Sequence, residues 1–251
     1  MLQFDLLRML GLRSVRTLLI TGIVLYLVIQ SAMALVMVEM RRRGVLEADA
    51  LDMATLIIGR NPVLPLCAGL TCALSAGQEY THSGRTMVIM MAGSRTTFVM
   101  SKVFGAAVVS AAVALVGSLG TWGILVSTGL LDGRLWVPGL TVLILGRSAA
   151  VVAWGVVGTC TVLTTRSQTA AITLILTVPF VAETAVRTLA RQVGGTLEGL
   201  TRLLPFASID ALVPVPPDST LFEEPVNSPE TACTVVGCFL ALLLTASTRR
   251  A

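Results

Sequence analysis

The sequence predicts an all-α, polytopic membrane protein with six transmembrane helices and both termini on the cytoplasmic side. Three observations predict it. Of the 251 residues, 55% are hydrophobic and only 13% are charged, with a mean hydropathy of +0.86. A soluble domain is about 25% charged, so this chain lacks the charge to cover a soluble surface and is too apolar to stay disordered. The apolar residues are also grouped, in six runs of 17 to 26 residues at 18–38, 54–77, 103–128, 140–164, 169–186 and 231–247. At about 1.5 Å per residue, each run covers most or all of a hydrocarbon core roughly 30 Å thick. Finally, the basic residues are distributed unevenly between the two sides that six crossings define.

The chain begins with a stretch in which Phe4, Leu7, Leu10 and Gly11 share one helical face, with Asp5, Arg8 and Arg16 mostly off it. This spacing predicts an amphipathic helix over residues 1–16, lying along the membrane surface; it also fits the start of the first span. Ala32-Met33-Ala34 imitates a signal-peptidase site. The apolar run continues through Val38, so a span is expected rather than a cleaved leader.

Charge then sets the expected orientation. With the N-terminus inside, the cytoplasmic segments hold Arg8, Arg13, Arg16, Arg85, Arg95, Lys102, Arg166, Arg249 and Arg250 against Asp5 and Glu79, a net of +7. The rest of the chain carries nine arginines and twelve acids, a net of −3. The positive-inside rule favours this arrangement. Arg41, Arg42 and Arg43, just outside the first span, run against it.

The second and fifth spans are interrupted by proline, at Pro62 and Pro65 and at Pro179. Each interruption frees backbone carbonyls that neighbouring helices must satisfy. Three charges fall inside the spans, Arg60, Arg147 and Glu183, all in the outer half. Either Glu183 pairs with Arg147 or Arg60, or the arginines snorkel to the outer headgroups. Gln168, Thr169 and Thr173 could line a path or simply pack. The five cysteines, Cys67, Cys72, Cys160, Cys233 and Cys238, all lie in spans and read as small helix-packing residues rather than disulfide or metal ligands. Residues 187–230 form an external loop. Leu189, Val193, Leu197, Leu200, Leu203 and Leu204 recur three or four apart through Gly194-Gly195, and six of the ten prolines then come after them. Short helices at the outer interface, or re-entrant packing, fit that pattern.

Catalytic motifs are missing. His82 is the only histidine, which leaves hydrolytic triads and histidine-paired zinc sites poorly supported. Lys102 is the only lysine and no phosphate-binding loop surrounds it, so no nucleotide site is expected in this chain. No metal site and no catalytic residues are expected either.

The most informative stretch is the cytoplasmic segment 78–102. Glu79-Tyr80 come after the second span, Ser83-Gly84 make a turn, an apolar helical stretch runs from Thr86 to Met91, and a second turn at 92–95 leads to the third span through Lys102. Met87, Val88, Ile89, Met90 and Met91 are too apolar for a solvated loop and suggest a docking element.

The order of Glu79-Tyr80, Gly84-Arg85-Thr86, Gly93-Ser94-Arg95 and Lys102 resembles the coupling loop in permease subunits of type-2 ABC transporters, exporters of drugs, lipids and polysaccharides. The start, LLRMLGLRSVRTLLI, is similar to that family's connecting helix, and LLPFASIDAL at 203–212 is similar to its Leu-Pro element before the last helix. The 92–95 turn lacks the proline often found there, and Arg85 stands where threonine is common. The resemblance implies a single transmembrane domain over 1–251 that couples to a separate ATP-binding subunit through Glu79, Tyr80, Gly84, Arg85, Thr86, Ser94, Arg95 and Lys102. ATP and magnesium would be held by that partner. A second permease chain, identical or not, would complete the path as a dimer in a bacterial cell membrane. An alternative expectation is a sensor or scaffold working with an ATPase without net transport. An intramembrane enzyme is disfavoured by the missing catalytic groups.

Overall fold

The computed structural model describes residues 11–45, 49–59, 61–81, 94–131, 133–193, 201–213 and 228–250. Among these the regular structure is helical throughout, with no strand. The first helix, α1, spans Arg13–Arg42, and α2 spans Ala50–Gly59. Then come α3 at Val63–Thr81, α4 at Arg95–Ser127 and α5 at Leu140–Thr165. Helix α6 covers Gln168–Thr177, a π-helical turn covers Val178–Glu183, and α7 covers Thr184–Val193. Two more helices complete the fold, α8 at Pro205–Asp210 and α9 at Pro229–Arg250. Six helical segments are long and apolar enough to cross a membrane, with α2 and α3 together making the second and α6 through α7 the fifth.

Most of the helices outrun the apolar runs. Arg13 and Arg16, expected on the surface helix, belong to α1. Leu12 before them is extended, so the chain bends ahead of the span and residues 1–10 lie outside the described part. A span needs about 20 residues to cross hydrocarbon, and α1 and α4, with 30 and 33, extend beyond it into the headgroups.

Helix α5 is the centre of the bundle. It packs along α3 and α4 and also touches α9, α6 and α2. Its core is made by Leu143, Ala150, Trp154, Val157 and Val162 against Met53, Ile57, Ala73 and Ala76. Close contact with α3 depends on missing side chains, because a Cβ on Gly158 would lie 2.2 Å from the carbonyl oxygen of Gly69. Small residues at a crossing let backbones approach where lipid gives no hydrophobic drive to association. Cys67, Cys72 and Cys160 are buried in this packing, whereas Cys233 and Cys238 lie on the exposed face of α9.

Six helices meet at one end of the bundle. Gln78 at the end of α3 donates to Ser14 at the start of α1, 3.4 Å away, and Gln168 at the start of α6 packs on Gly77. Phe98 and Val99 of α4 pack with Leu163 of α5 and Leu244 of α9. Arg13, Arg16, Arg95, Lys102, Arg166 and Arg249 therefore gather at this end, with Glu79 the acid in the described segments there. Trp122 and Trp136 mark the opposite end, and Trp122 Nε1 donates to the Leu135 carbonyl at 3.0 Å. Aromatic rings of this kind favour the membrane–water boundary.

Candidate functional site

Two regions carry polar chemistry, the breaks in the second and fifth spans and the basic end of the bundle. The second span breaks between Gly59 and Val63. Pro62 and Pro65 have no N–H to give, and proline also disfavours helical backbone at Asn61 before it. In an unbroken helix the Asn61 carbonyl would be bonded by residue 65. Pro65 cannot do this, and the Arg147 guanidinium of α5 donates to that carbonyl instead. One turn earlier, the Ile57 carbonyl loses its helical partner and takes a 2.7 Å bond from Gln30 Nε2 of α1. Asn61 Oδ1 caps the new helix by accepting from the Val63 N–H at 3.0 Å. Three side chains from three spans thus satisfy one interruption.

The satisfaction is incomplete. Arg147 is 2% exposed, Asn61 5% and Gln30 0%, yet Arg147 Nε, Asn61 Nδ2 and Gln30 Oε1 have no hydrogen-bond partner among the described residues. A buried unpaired polar atom costs about 1–3 kcal/mol.

In the fifth span, Pro179 denies a hydrogen bond to the preceding turn, and the helix widens into the π-helical turn of residues 178–183. The widening shifts the helical register of the residues beyond it, and Glu183 at its end is 2% exposed. Its carboxylate accepts from the backbone N–H groups of Phe206 at 2.9 Å and Ala207 at 2.8 Å. These are the second and third residues of α8, the donors that a helix start leaves unpaired. Leu204, at the capping position, offers no side-chain bond, so Glu183 caps α8 from 23 residues away in sequence. Arg187, one turn on, stands 3.6 Å from the same carboxylate.

These contacts correct both readings of the intramembrane charges that can be followed. Glu183 pairs with Arg187 and two peptide N–H groups rather than with Arg147. Arg147 is enclosed and bonds a carbonyl in the broken span rather than reaching the headgroups. Arg60 lies outside the described residues. The expected external loop is also more interior than its composition suggests. Helix α7 continues to Val193, and α8 buries Phe206, Ala207, Ser208 and Ile209. Phe206 packs on Trp154 of α5, with centroids 4.7 Å apart, and on Phe239 of α9 at 6.2 Å. The re-entrant alternative describes α8.

At the basic end, Ser94 starts α4 with its hydroxyl accepting from the Thr97 N–H at 3.1 Å. Arg95 comes next and is exposed. Lys102 sits two turns in, its ammonium 5.6 Å from the Phe98 ring centre. With Ser75, Ser101 and Thr159 it lines a small cleft between α3, α4 and α5. Glu79 and Tyr80 occupy the last turn of α3. Gly84, Arg85, Thr86 and the apolar stretch 86–91 lie outside the described residues. Among the described residues no group of three histidine, cysteine or acidic side chains could hold a metal ion.

Gln30 and Asn61 are the polar residues that sequence reasoning passed over. The signal was present, since a glutamine inside a 30-residue apolar helix and an asparagine between proline and an arginine both demand partners.

Fold and polar sites together define a multi-pass α-helical membrane protein. Comparison with known protein families, curated proteins and solved structures finds no significant match.

Proposed function

We propose that the chain is the permease subunit of an ATP-driven ABC exporter, working as a dimer with a separate ATP-binding subunit. The observation that carries this reading is the root of the 82–93 segment. Thr81 and Ser94, which flank it, lie at the bundle end where Arg13, Arg16, Arg95, Lys102, Arg166 and Arg249 gather. A basic end faces the cytoplasm under the positive-inside rule. There an apolar segment flanked by Glu79-Tyr80 and Ser94-Arg95 has a cytosolic motor as its natural partner, and the capped start of α4 would transmit force into the bundle. The Gln78–Ser14 bond joins the same root to the first span, so a push on the loop would also reach the N-terminal segment. Nucleotide binding by the partner would bias a pre-existing equilibrium between inward-open and outward-open forms. ATP and magnesium would sit on that partner, and the membrane would be the cell membrane.

The test is purification of the chain from its native membrane with whatever ATP-binding subunit accompanies it. A stable complex whose ATP turnover rises with substrate, and which fills inverted vesicles, supports the exporter. A complex that hydrolyses ATP in response to a ligand without accumulation favours a sensor. Absence of any ATPase partner overturns both.

A further inference from the structure

Where the second span breaks, two buried side chains in contact each carry a donor with no acceptor among the described residues. Asn61 Nδ2 and Arg147 Nε are unpaired, and their residues touch through the bond from Arg147 to the Asn61 carbonyl. Buried donors are nearly always found with an acceptor. Arg147 brings a full positive charge, and among the described residues no carboxylate forms a direct ion pair with it, although Asp210, the last residue of α8, attracts it electrostatically. The break also sets the amino end of α3, 19 residues long, next to Asn61, and its peptide dipoles favour negative charge. Asn61 Oδ1 already occupies the Val63 N–H, so the side chain is fixed with its amide nitrogen free.

A cation, a fixed amide donor and a helix amino end describe a ligand with negative charge and oxygen lone pairs. We propose that the break in the second span is an intramembrane binding site for a phosphate or carboxylate group, with Arg147 as charge partner and Asn61 Nδ2 as orienting donor. Arg147 lies seven residues into α5 from Leu140, about 10 Å along the helix, within reach of the outer leaflet. Both residues are enclosed, so an oxyanion would reach them only if the packing around the break opened. The anionic head of an amphiphile and a free anion share this chemistry. The site does not depend on an ATPase partner.

The test uses the full chain in phosphatidylcholine nanodiscs, with two probes. Native mass spectrometry counts bound phosphatidylglycerol, and equilibrium binding tracks radiolabelled inorganic phosphate. Wild type is expected to take up one probe saturably, one per chain. Asn61→Asp keeps the acceptor that caps α3 but replaces the donor with negative charge, and is expected to weaken binding by about tenfold or more. Arg147→Lys keeps the charge, loses the Nε donor and weakens binding less. Arg249→Gln, at the other end, binds as wild type. Thermal unfolding checks each variant, and Arg147→Lys decides if Asn61→Asp does not fold. Saturable binding of the lipid alone assigns a headgroup, and of phosphate alone a free anion. Saturation by neither probe, or wild-type affinity in both site variants, overturns the proposal.

Discussion

Gly158 of α5 faces the carbonyl oxygen of Gly69 in α3 so closely that a Cβ there would stand 2.2 Å from it. The obstacle is backbone, which cannot rotate aside. Gly158→Ala is expected to force the two central helices apart and cost about 1–3 kcal/mol. Gly123→Ala, which meets nothing within 4 Å, is the control and stays near wild type. Thermal unfolding in detergent separates the two; equal midpoints would show that the crossing is not this tight.

Glu183 holds α8 in place, so its loss is a local event. Glu183→Leu leaves the Phe206 and Ala207 N–H groups without their acceptor, each at about 1–3 kcal/mol. A cysteine at Ala207 is then expected to react faster with a membrane-impermeant maleimide than in the parent. Because Glu183 and Arg147 have different partners, Glu183→Arg is not rescued by Arg147→Glu. Recovery of expression and folding in the double variant would restore the direct ion pair.

Ser94 caps α4 through the Thr97 N–H. Ser94→Ala is expected to cost about 1 kcal/mol at the helix start. Hydrogen exchange of the amides at 96–98 should rise about fivefold, the factor that energy corresponds to. Ser94→Asp, which keeps an acceptor, should not show the rise.

The coupling role proposed for Glu79 is tested by charge. Glu79→Arg is expected to lower ATP turnover of the purified complex while expression and assembly are kept. Unchanged turnover would remove Glu79 from the coupling surface.

Orientation is open to chemical labelling. A cysteine at Gly133, on the turn between α4 and α5, is expected to react with an impermeant reagent on intact cells, and one at Thr248 only after lysis. The reverse pattern would invert the basic end.

The spans were legible because membrane insertion is a one-dimensional demand. Length, apolarity and the scarcity of charge suffice to find 18–38 within α1 or 140–164 within α5. The prolines marked where the second and fifth spans would fail as continuous helices, since a missing N–H is a covalent fact. Which side chain would repair each failure was not legible. Gln30 lies 27 residues from Ile57, and Arg147 86 residues from Asn61. No local pattern encodes such distances.

Glu183 shows the same limit from the other direction. Its position in an apolar run announced a buried carboxylate needing partners, and arginines were the obvious ones. The partners it has are peptide N–H groups of a short helix in a proline-rich segment, supplemented by Arg187 one turn away. Peptide donors are carried by nearly every residue and so leave no mark in composition.

By itself the sequence determined that this chain is helical, crosses a membrane six times and breaks at Pro62 and Pro179, because hydrophobic length and proline stereochemistry act along the chain. Only the tertiary structure decided that Arg147 and Gln30 mend the first break, that Glu183 caps α8, and that α8 lies inside the bundle. Those outcomes depend on which helices pack together, and in lipid that choice rests on close contact and on satisfying every buried polar group.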